Sequence, residues 1–110
     1  MKIVFTFRHM ESSPAMEGFV ESKLPKVKRL LEKELEPVTL SVTLDAARQH
    51  HHHRVEMSLK SHNYDILVHH EGPELYKEIE IVADKLAAEI VKSKDKRIDG
   101  IKHREKGTAE

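Results

Sequence analysis

Residues 38–45 read VTLSVTLD, a strict alternation of aliphatic and polar side chains. Successive side chains of a β-strand point to opposite faces of a sheet, so this stretch predicts a strand with one buried face. Residues 54–60 (RVEMSLK) and 64–68 (YDILV) repeat the alternation, with a short polar turn at residues 61–63 between them. Together the three segments predict an antiparallel meander that buries one side.

The residues before the meander predict another strand and a helix. Residues 2–8 alternate in the same way, and Ser12-Ser13-Pro14 is typical of a helix start. Apolar residues then recur every three or four positions as far as Leu31. We expect Pro25 to kink this helix without ending it, because the apolar stripe resumes in phase after the proline.

A second helix follows the meander. Residues 71–73 (EGP) interrupt the last strand, and apolar side chains then recur at helical spacing from Leu75 to Ile98. Gly100 predicts the end of this helix, because glycine is common just after a helix terminus. We expect residues 101–110 to form a polar tail.

The predicted element order is β-α-β-β-β-α, which indicates a single α+β domain over residues 1–100. A right-handed crossover through the first helix places the first strand parallel to the second. Each helix has one apolar stripe and the sheet has one apolar face. A four-stranded sheet with both helices packed on one face buries all three surfaces.

The composition excludes several classes of function. The chain has 110 residues and no cysteine, which excludes disulfides and thiolate chemistry. No apolar run approaches the roughly 20 residues of a membrane span, and no signal peptide precedes the first strand, so we expect a cytoplasmic protein. Neither a phosphate-binding glycine loop nor a nucleophile with its base is evident, so we predict no catalysis and no cofactor.

The formal net charge is zero, but the charges are segregated along the chain. Basic residues dominate residues 23–33 and 85–106, whereas acids gather in residues 11–21 and 71–80. At helical spacing, the basic residues form two stripes that can line a shared outer surface. The stripes are Lys26, Arg29 and Lys33 in the first helix, and Lys85, Lys92 and Lys96 in the second. Such a surface favours the phosphates of a folded RNA as its ligand.

The segment from the first helix to the second has the order α-β-β-β-α, which is that of double-stranded-RNA-binding domains. These domains recognise the shape and phosphates of RNA. The chain has three phenylalanines, two tyrosines and no tryptophan, and most of them fall at predicted core positions. We therefore expect contact with the RNA backbone and not base stacking on an aromatic platform.

Three groups of residues carry a resemblance to a known family. Residues 7–16 (FRHMESSPAM) are similar to a family signature Gly-Arg-His…Thr-Pro-Ala, with Phe7 in place of the glycine. Residues 75–80 (LYKEIE) are similar to its Met/Leu-Tyr-Ala-Ala-Ile-Asp. Residues 83–96, with ADKL and then KSKDK, resemble its ADKL and Lys-x-Lys-x-Lys run. The family is that of the ribosome hibernation-promoting factors and ribosome-associated inhibitor A, also called sigma-54 modulation proteins.

The resemblance implies that the chain inhibits translation. A family member occupies the decoding region of the small ribosomal subunit, contacts 16S ribosomal RNA and promotes ribosome hibernation in stationary phase or stress. We expect a chain of this length to be a monomer when free, and whether it promotes or opposes ribosome dimerisation stays open. The RNA-binding residues implied by the resemblance are Arg8, His9, Lys23, Lys26, Arg29, Lys85, Lys92, Lys94 and Lys96, and the first stripe adds Lys33.

Two other interpretations concern the four consecutive histidines at residues 50–53. Alternate side chains of a strand share a face, so His51 and His53 could hold a metal ion together. No carboxylate pattern completes such a site, and a solvated loop between the second and third strands is the favoured interpretation. The alternative function is a protein-interaction module that acts off the ribosome through this loop or the exposed sheet face.

Overall fold

The structure, a computed structural model, describes residues 1–46 and 52–108, with side chains as far as Lys96. The predicted α+β class is confirmed, and all four predicted strands are present. No helix in these two ranges is long and apolar enough to cross a membrane. The elements are β1 (Lys2–Arg8), α1 (Pro14–Ser22), α2 (Pro25–Leu30), β2 (Thr39–Asp45), β3 (His53–Lys60), β4 (Asp65–Gly72) and α3 (Leu75–Thr108).

The four strands form one sheet in the order β1-β2-β3-β4. Strand β1 lies parallel to β2, with Phe5 opposite Val42, as the right-handed crossover predicts. The β2–β3 and β3–β4 pairs are antiparallel, which confirms the predicted meander. The turn at residues 61–63 is closed by the Ser61 N–H, which donates to the Tyr64 carbonyl at 2.9 Å.

All the helices pack on one face of the sheet, as predicted. The inward side chains of β2, β3 and β4 are buried in the core. The largest of those that are wholly inaccessible to solvent are Leu40, Leu44, Met57 and Leu59. Helix α3 supplies Ile79, Val82, Leu86 and Ile90 to the same core. The opposite face carries the polar half of the alternation, and no element among the described residues covers it.

The prediction of one kinked helix around Pro25 is wrong, because the chain forms two helices. Helix α1 ends at Ser22, and the Lys23 N–H donates to the Val20 carbonyl at 3.0 Å, a bond to the third preceding residue that tightens the last turn. Pro25 then occupies the first position of α2, where its missing N–H costs nothing. The apolar stripe nevertheless stays in phase, since Val20, Leu24 and Val27 are all buried.

The break affects the likeness to double-stranded-RNA-binding domains. The order α-β-β-β-α holds only when α1 and α2 are counted as one helical segment. Likeness to that class of domain therefore stays a prediction.

The predicted end of the last helix at Gly100 is also wrong, because α3 continues to Thr108. A glycine inside a helix costs only about 1 kcal/mol relative to alanine, which the backbone hydrogen bonds of a long helix can absorb. Residues 109–110 of the predicted tail lie outside the described residues.

The start of α3 depends on a close approach between Gly72 and Glu78. Glu78 is only 2% exposed, and its Oε2 accepts a hydrogen bond from the Glu74 N–H at 2.9 Å. A Cβ atom on Gly72 would lie 2.6 Å from Glu78 Cδ and closer still to Oε1. Gly72 therefore leaves the space in which this carboxylate binds one of the free N–H groups at the helix start.

Replacing Gly72 with alanine should destabilise the fold. The new methyl group displaces the buried Glu78 carboxylate, and such overpacking costs about 1–3 kcal/mol. The matched control is Gly18→Ala on α1, where an added Cβ meets nothing within 4 Å. That change should stabilise the fold by about 0.5–1 kcal/mol, because alanine suits a helix interior better than glycine. Urea unfolding of both variants measures the two effects, and equal effects would contradict this account of Gly72.

Candidate nucleic-acid interface

Helix α2 presents a dense group of cations. Half of its six residues are basic, namely Lys26, Lys28 and Arg29, and all three side chains are exposed. Lys33, which follows the helix, is exposed as well. None of these four residues forms an ion pair among the described residues. Lys28 was not among the predicted RNA contacts, because its spacing from Lys26 placed it outside the stripe.

The second stripe lies on α3 and is also exposed. Lys85, Lys92 and Lys96 project from the outer surface of the helix. Lys85 Nζ donates to the His69 carbonyl of β4 at 3.0 Å, so this flank of α3 faces the last strand of the sheet. The ammonium of Lys85 keeps further N–H donors for an external acceptor.

The two stripes do not line one groove. Helices α1 and α2 contact α3 through Glu80 and Lys94. Lys92 and Lys96 each lie two residues from Lys94, which is about 200° around the helix axis. The basic stripe of α3 therefore faces away from α2, and the two stripes occupy opposite flanks of the exposed ridge of α3.

Two of the predicted RNA contacts have partners inside the protein. Lys23 Nζ lies 2.9 Å from Glu80 Oε1 and 5.2 Å from the centroid of the Phe19 ring. Phe19 itself packs edge-on against Tyr76 at 4.6 Å between ring centroids. Lys94 donates to the Leu30 carbonyl at the end of α2. Both lysines thus join the α1–α2 segment to α3.

Arg8 and His9 lie at the other end of the sheet from α2. Arg8 ends β1 and is exposed, and the Ala46 N–H donates to its carbonyl at 3.1 Å. His9 has a φ of 57°, in the left-handed region that few residues other than glycine adopt. Its Nδ1 lies 2.7 Å from Asp45 Oδ1, and this contact fixes the turn after β1. A seven-residue strand spans about 23 Å, so these two residues are remote from the α2 cations.

The end of the sheet that holds His9 is rich in histidine and carboxylate. His52 Nε2 lies 2.6 Å from Glu71 Oε2, and Arg54 donates to Glu71 Oε1 at 2.8 Å. The hydrogen bonds from His52 and Arg54 lower the pKa of Glu71. The hydrogen bonds that Arg54 donates to Glu71 and Glu56 raise the pKa of Arg54. Arg54 is therefore paired with two carboxylates, in contrast to the cations of α2, which form no ion pair among the described residues.

The metal hypothesis gains no support from the described residues. His51 lies outside them, and His53 Nδ1 is buried without a hydrogen-bond partner among them. Within the described part of the chain, no three histidine, aspartate or glutamate side chains lie close enough to hold an ion. His53 begins β3, so only residues before it belong to the predicted loop.

Glu34 is a residue whose role the sequence did not indicate. Its carboxylate accepts hydrogen bonds from Ser61 Oγ at 2.5 Å, from the Asn63 N–H at 3.1 Å and from Asn63 Nδ2 at 2.9 Å. These bonds tie the connection between α2 and β2 to the turn between β3 and β4. They hold Lys33, the neighbour of Glu34, at a fixed place on the surface.

Exposed cations clustered on the helices of a small α+β domain are one feature of proteins that bind nucleic acid. Residues 3–98 match the family described as Sigma 54 modulation protein / S30EA ribosomal protein, and the chain belongs to this family. The predicted family membership is thereby confirmed.

Comparison with individual proteins is consistent with this family assignment. A ribosome hibernation promoting factor of Azotobacter vinelandii is 22% identical over 99 residues, which is 90% of this chain and 88% of the relative. The N-terminal domain of Thermus thermophilus Protein Y has a TM-score of 0.67 at 25% identity, over 82% of this chain and 96% of that domain. A ribosomal subunit interface protein from Coxiella burnetii also has a TM-score of 0.67, at 19% identity. The match covers 86% of this chain and 99% of that protein, and it supports the fold.

The pairing of Glu71 predicts a pH-dependent contribution to stability. Because the folded state lowers the pKa of Glu71, the ionised carboxylate stabilises the fold above its usual pKa, and this stabilisation is lost as the pH falls through the lowered pKa. Glu71→Gln should therefore lower the melting temperature by a few degrees at pH 7 and by progressively less below about pH 4. Glu32→Gln, at an exposed position without an ion pair among the described residues, is the control. A deficit that stays constant down to pH 2 would contradict the ionic origin.

Proposed function

We propose that the chain inhibits translation by binding 16S ribosomal RNA in the decoding region of the small ribosomal subunit. In this role it keeps idle ribosomes inactive during stationary phase or stress, and it works in the cytoplasm, where ribosomes are. The observation that carries the proposal is the group of exposed cations on α2 and α3, which form no ion pair among the described residues, in a member of a family whose named relatives act on ribosomes.

Phosphates of the ribosomal RNA are the ligands that these cations fit. The exposed candidates are Lys26 and Arg29 of α2 with Lys33 just after it on one flank, and Lys85, Lys92 and Lys96 of α3 on the other. Cations on both flanks of the α3 ridge suit an RNA cleft that contacts the protein from two sides. Arg8, at the far end of β1, can reach a third RNA segment, and binding needs only a monomer.

The proposed mechanism is steric and involves no chemical step. A protein lodged in the decoding region occupies the space of messenger and transfer RNA. Phosphate contacts gain affinity from the release of counterions, so binding is tight at low salt and reversible. Neutralising about six phosphates gives a log–log salt slope of roughly −5. Reversibility suits an inhibitor that leaves when initiation resumes.

Reversing two charges of the α3 stripe should weaken binding to the small subunit. Lys92→Glu with Lys96→Glu removes two phosphate contacts, so we expect affinity to fall at least 100-fold and the salt slope to become shallower by about 2. The control is Lys2→Glu with Lys60→Glu, which changes the net charge equally on the exposed sheet face. Cosedimentation at several salt concentrations measures both proteins. Equal losses in both would indicate unspecific attraction and contradict the proposed surface.

Occlusion makes a separate prediction about transfer RNA. Initiator transfer RNA and the protein should compete for small subunits programmed with messenger RNA, because they need the same space. Filter binding of labelled transfer RNA, titrated with protein, should show complete displacement. The Lys92→Glu, Lys96→Glu protein is the control and should displace little at the same concentration. Full transfer RNA binding on subunits saturated with wild-type protein would rule out the occlusion mechanism while leaving ribosome binding intact.

The second candidate is a protein-interaction module that acts off the ribosome. It is favoured by the uncovered outer face of the sheet, where Val4, Ser41, Ser58 and Leu67 form a row across all four strands. Leu67, the third residue of β4, is 61% exposed. This candidate requires that Leu67→Glu abolish function while the double charge reversal on α3 leaves it intact. Translation assays with both variants separate the two proposals.

A further inference from the structure

Lys94 differs from the lysines on either side of it. Lys92 and Lys96 are exposed, whereas Lys94 is half-buried on the flank of α3 that contacts α2. Its ammonium donates to the carbonyl of Leu30, the last residue of α2. The final carbonyls of a helix lack partners within it, and a positive charge there also opposes the negative end of the helix dipole. Lys94 therefore serves as a C-terminal cap supplied by another helix.

Helix α2 is too short to be stable by itself. It has six residues, far fewer than an isolated helix needs to form in water. Leu24, at its N-cap, makes no side-chain capping hydrogen bond. Val27 is the only residue within the helix that is fully buried. The order of α2 must therefore come from contacts with the rest of the protein.

The cations of α2 also repel each other. Lys26 and Arg29 are three residues apart and lie on the same side of the helix, a spacing at which like charges destabilise it. Lys33 lies four residues beyond Arg29. The same charges that would attract RNA phosphates thus oppose the helical arrangement that aligns them.

We propose that Lys94 is a positioning residue, which holds α2 on α3 so that Lys26 and Arg29 face the RNA together. Its contribution to RNA affinity passes through α2 and not through a phosphate contact of its own. A segment ordered before binding loses less conformational entropy on association. The part of this inference that concerns RNA affinity rests on the proposed function. The effect of Lys94 on α2 does not, because it exists in the free protein.

Hydrogen exchange in the free protein tests the effect on α2. Lys94→Met keeps most of the packing of the aliphatic stem and removes the donor and the charge. We expect the amides of Lys28 and Leu31, which donate to the Leu24 and Val27 carbonyls, to exchange about tenfold faster than in the wild type. Lys92→Met is the control and should leave these amides unchanged, and Lys94→Arg, which keeps a cationic donor, should restore protection.

Either of two exchange results would overturn the proposal. Unchanged protection of α2 in Lys94→Met would show that Lys94 does not order this helix. Lost protection in β2 and β3 as well as in α2 would show that Lys94 supports the whole core instead of positioning one helix. Both readouts are independent of the ribosome, so they hold even if the proposed function fails.

A double-mutant cycle tests the route to RNA. Lys94→Met should raise the dissociation constant for small subunits about tenfold in the wild type. In a background that carries Lys26→Gln and Arg29→Gln, the same change should have less than a twofold effect, because the charges that Lys94 positions are already absent. Lys92→Met is the control, whose effect should be the same in both backgrounds. Equal effects of Lys94→Met in the two backgrounds would establish a direct phosphate contact and overturn the positioning role.

Discussion

Burial of one face of β2 constrains the rest of the molecule. Leu40, Val42 and Leu44 are completely inaccessible to solvent, and they can be so only if helices cover that face along the whole strand. Since α3 lies over β3 and β4, the α1–α2 segment has to complete the cover. Each helix then has its apolar side committed to the sheet, and its outer side is left for charge. The site proposed for RNA thus follows from the way the core is closed.

The sequence predicted the sheet well because strand periodicity is local information. Alternation at residues 38–45 indicates both the strand and the side chains it buries, and the parallel placement of β1 follows from crossover handedness. The helix boundaries at Pro25 and Gly100 were predicted wrongly for a different reason. A proline can kink or end a helix, and a glycine can end or continue one, so the outcome depends on packing and on the neighbouring hydrogen bonds.

The candidate site was predictable as a set of charges but not as an arrangement. Helical spacing grouped Lys26 with Arg29 and Lys92 with Lys96, and the structure finds them exposed. The partner of Lys94, however, is a carbonyl 64 residues away in sequence, and no local pattern indicates such a contact. Resemblance to a family shows that a lysine occupies a given position of a motif. It does not show whether that lysine contacts RNA or orders the protein, because the residue is the same in either role.

The choice of a lysine to hold α2 follows from the electrostatics of the surface. A carboxylate paired with Lys26 or Arg29 would also fix the helix, but it would cancel the charge that we propose attracts phosphate. An apolar contact would add no charge and would leave the Leu30 carbonyl without the donor that Lys94 supplies. An ammonium on the Leu30 carbonyl satisfies that acceptor and keeps the local potential positive. At the far end of the sheet the structure uses carboxylates in this way, since Glu71 pairs with both His52 and Arg54.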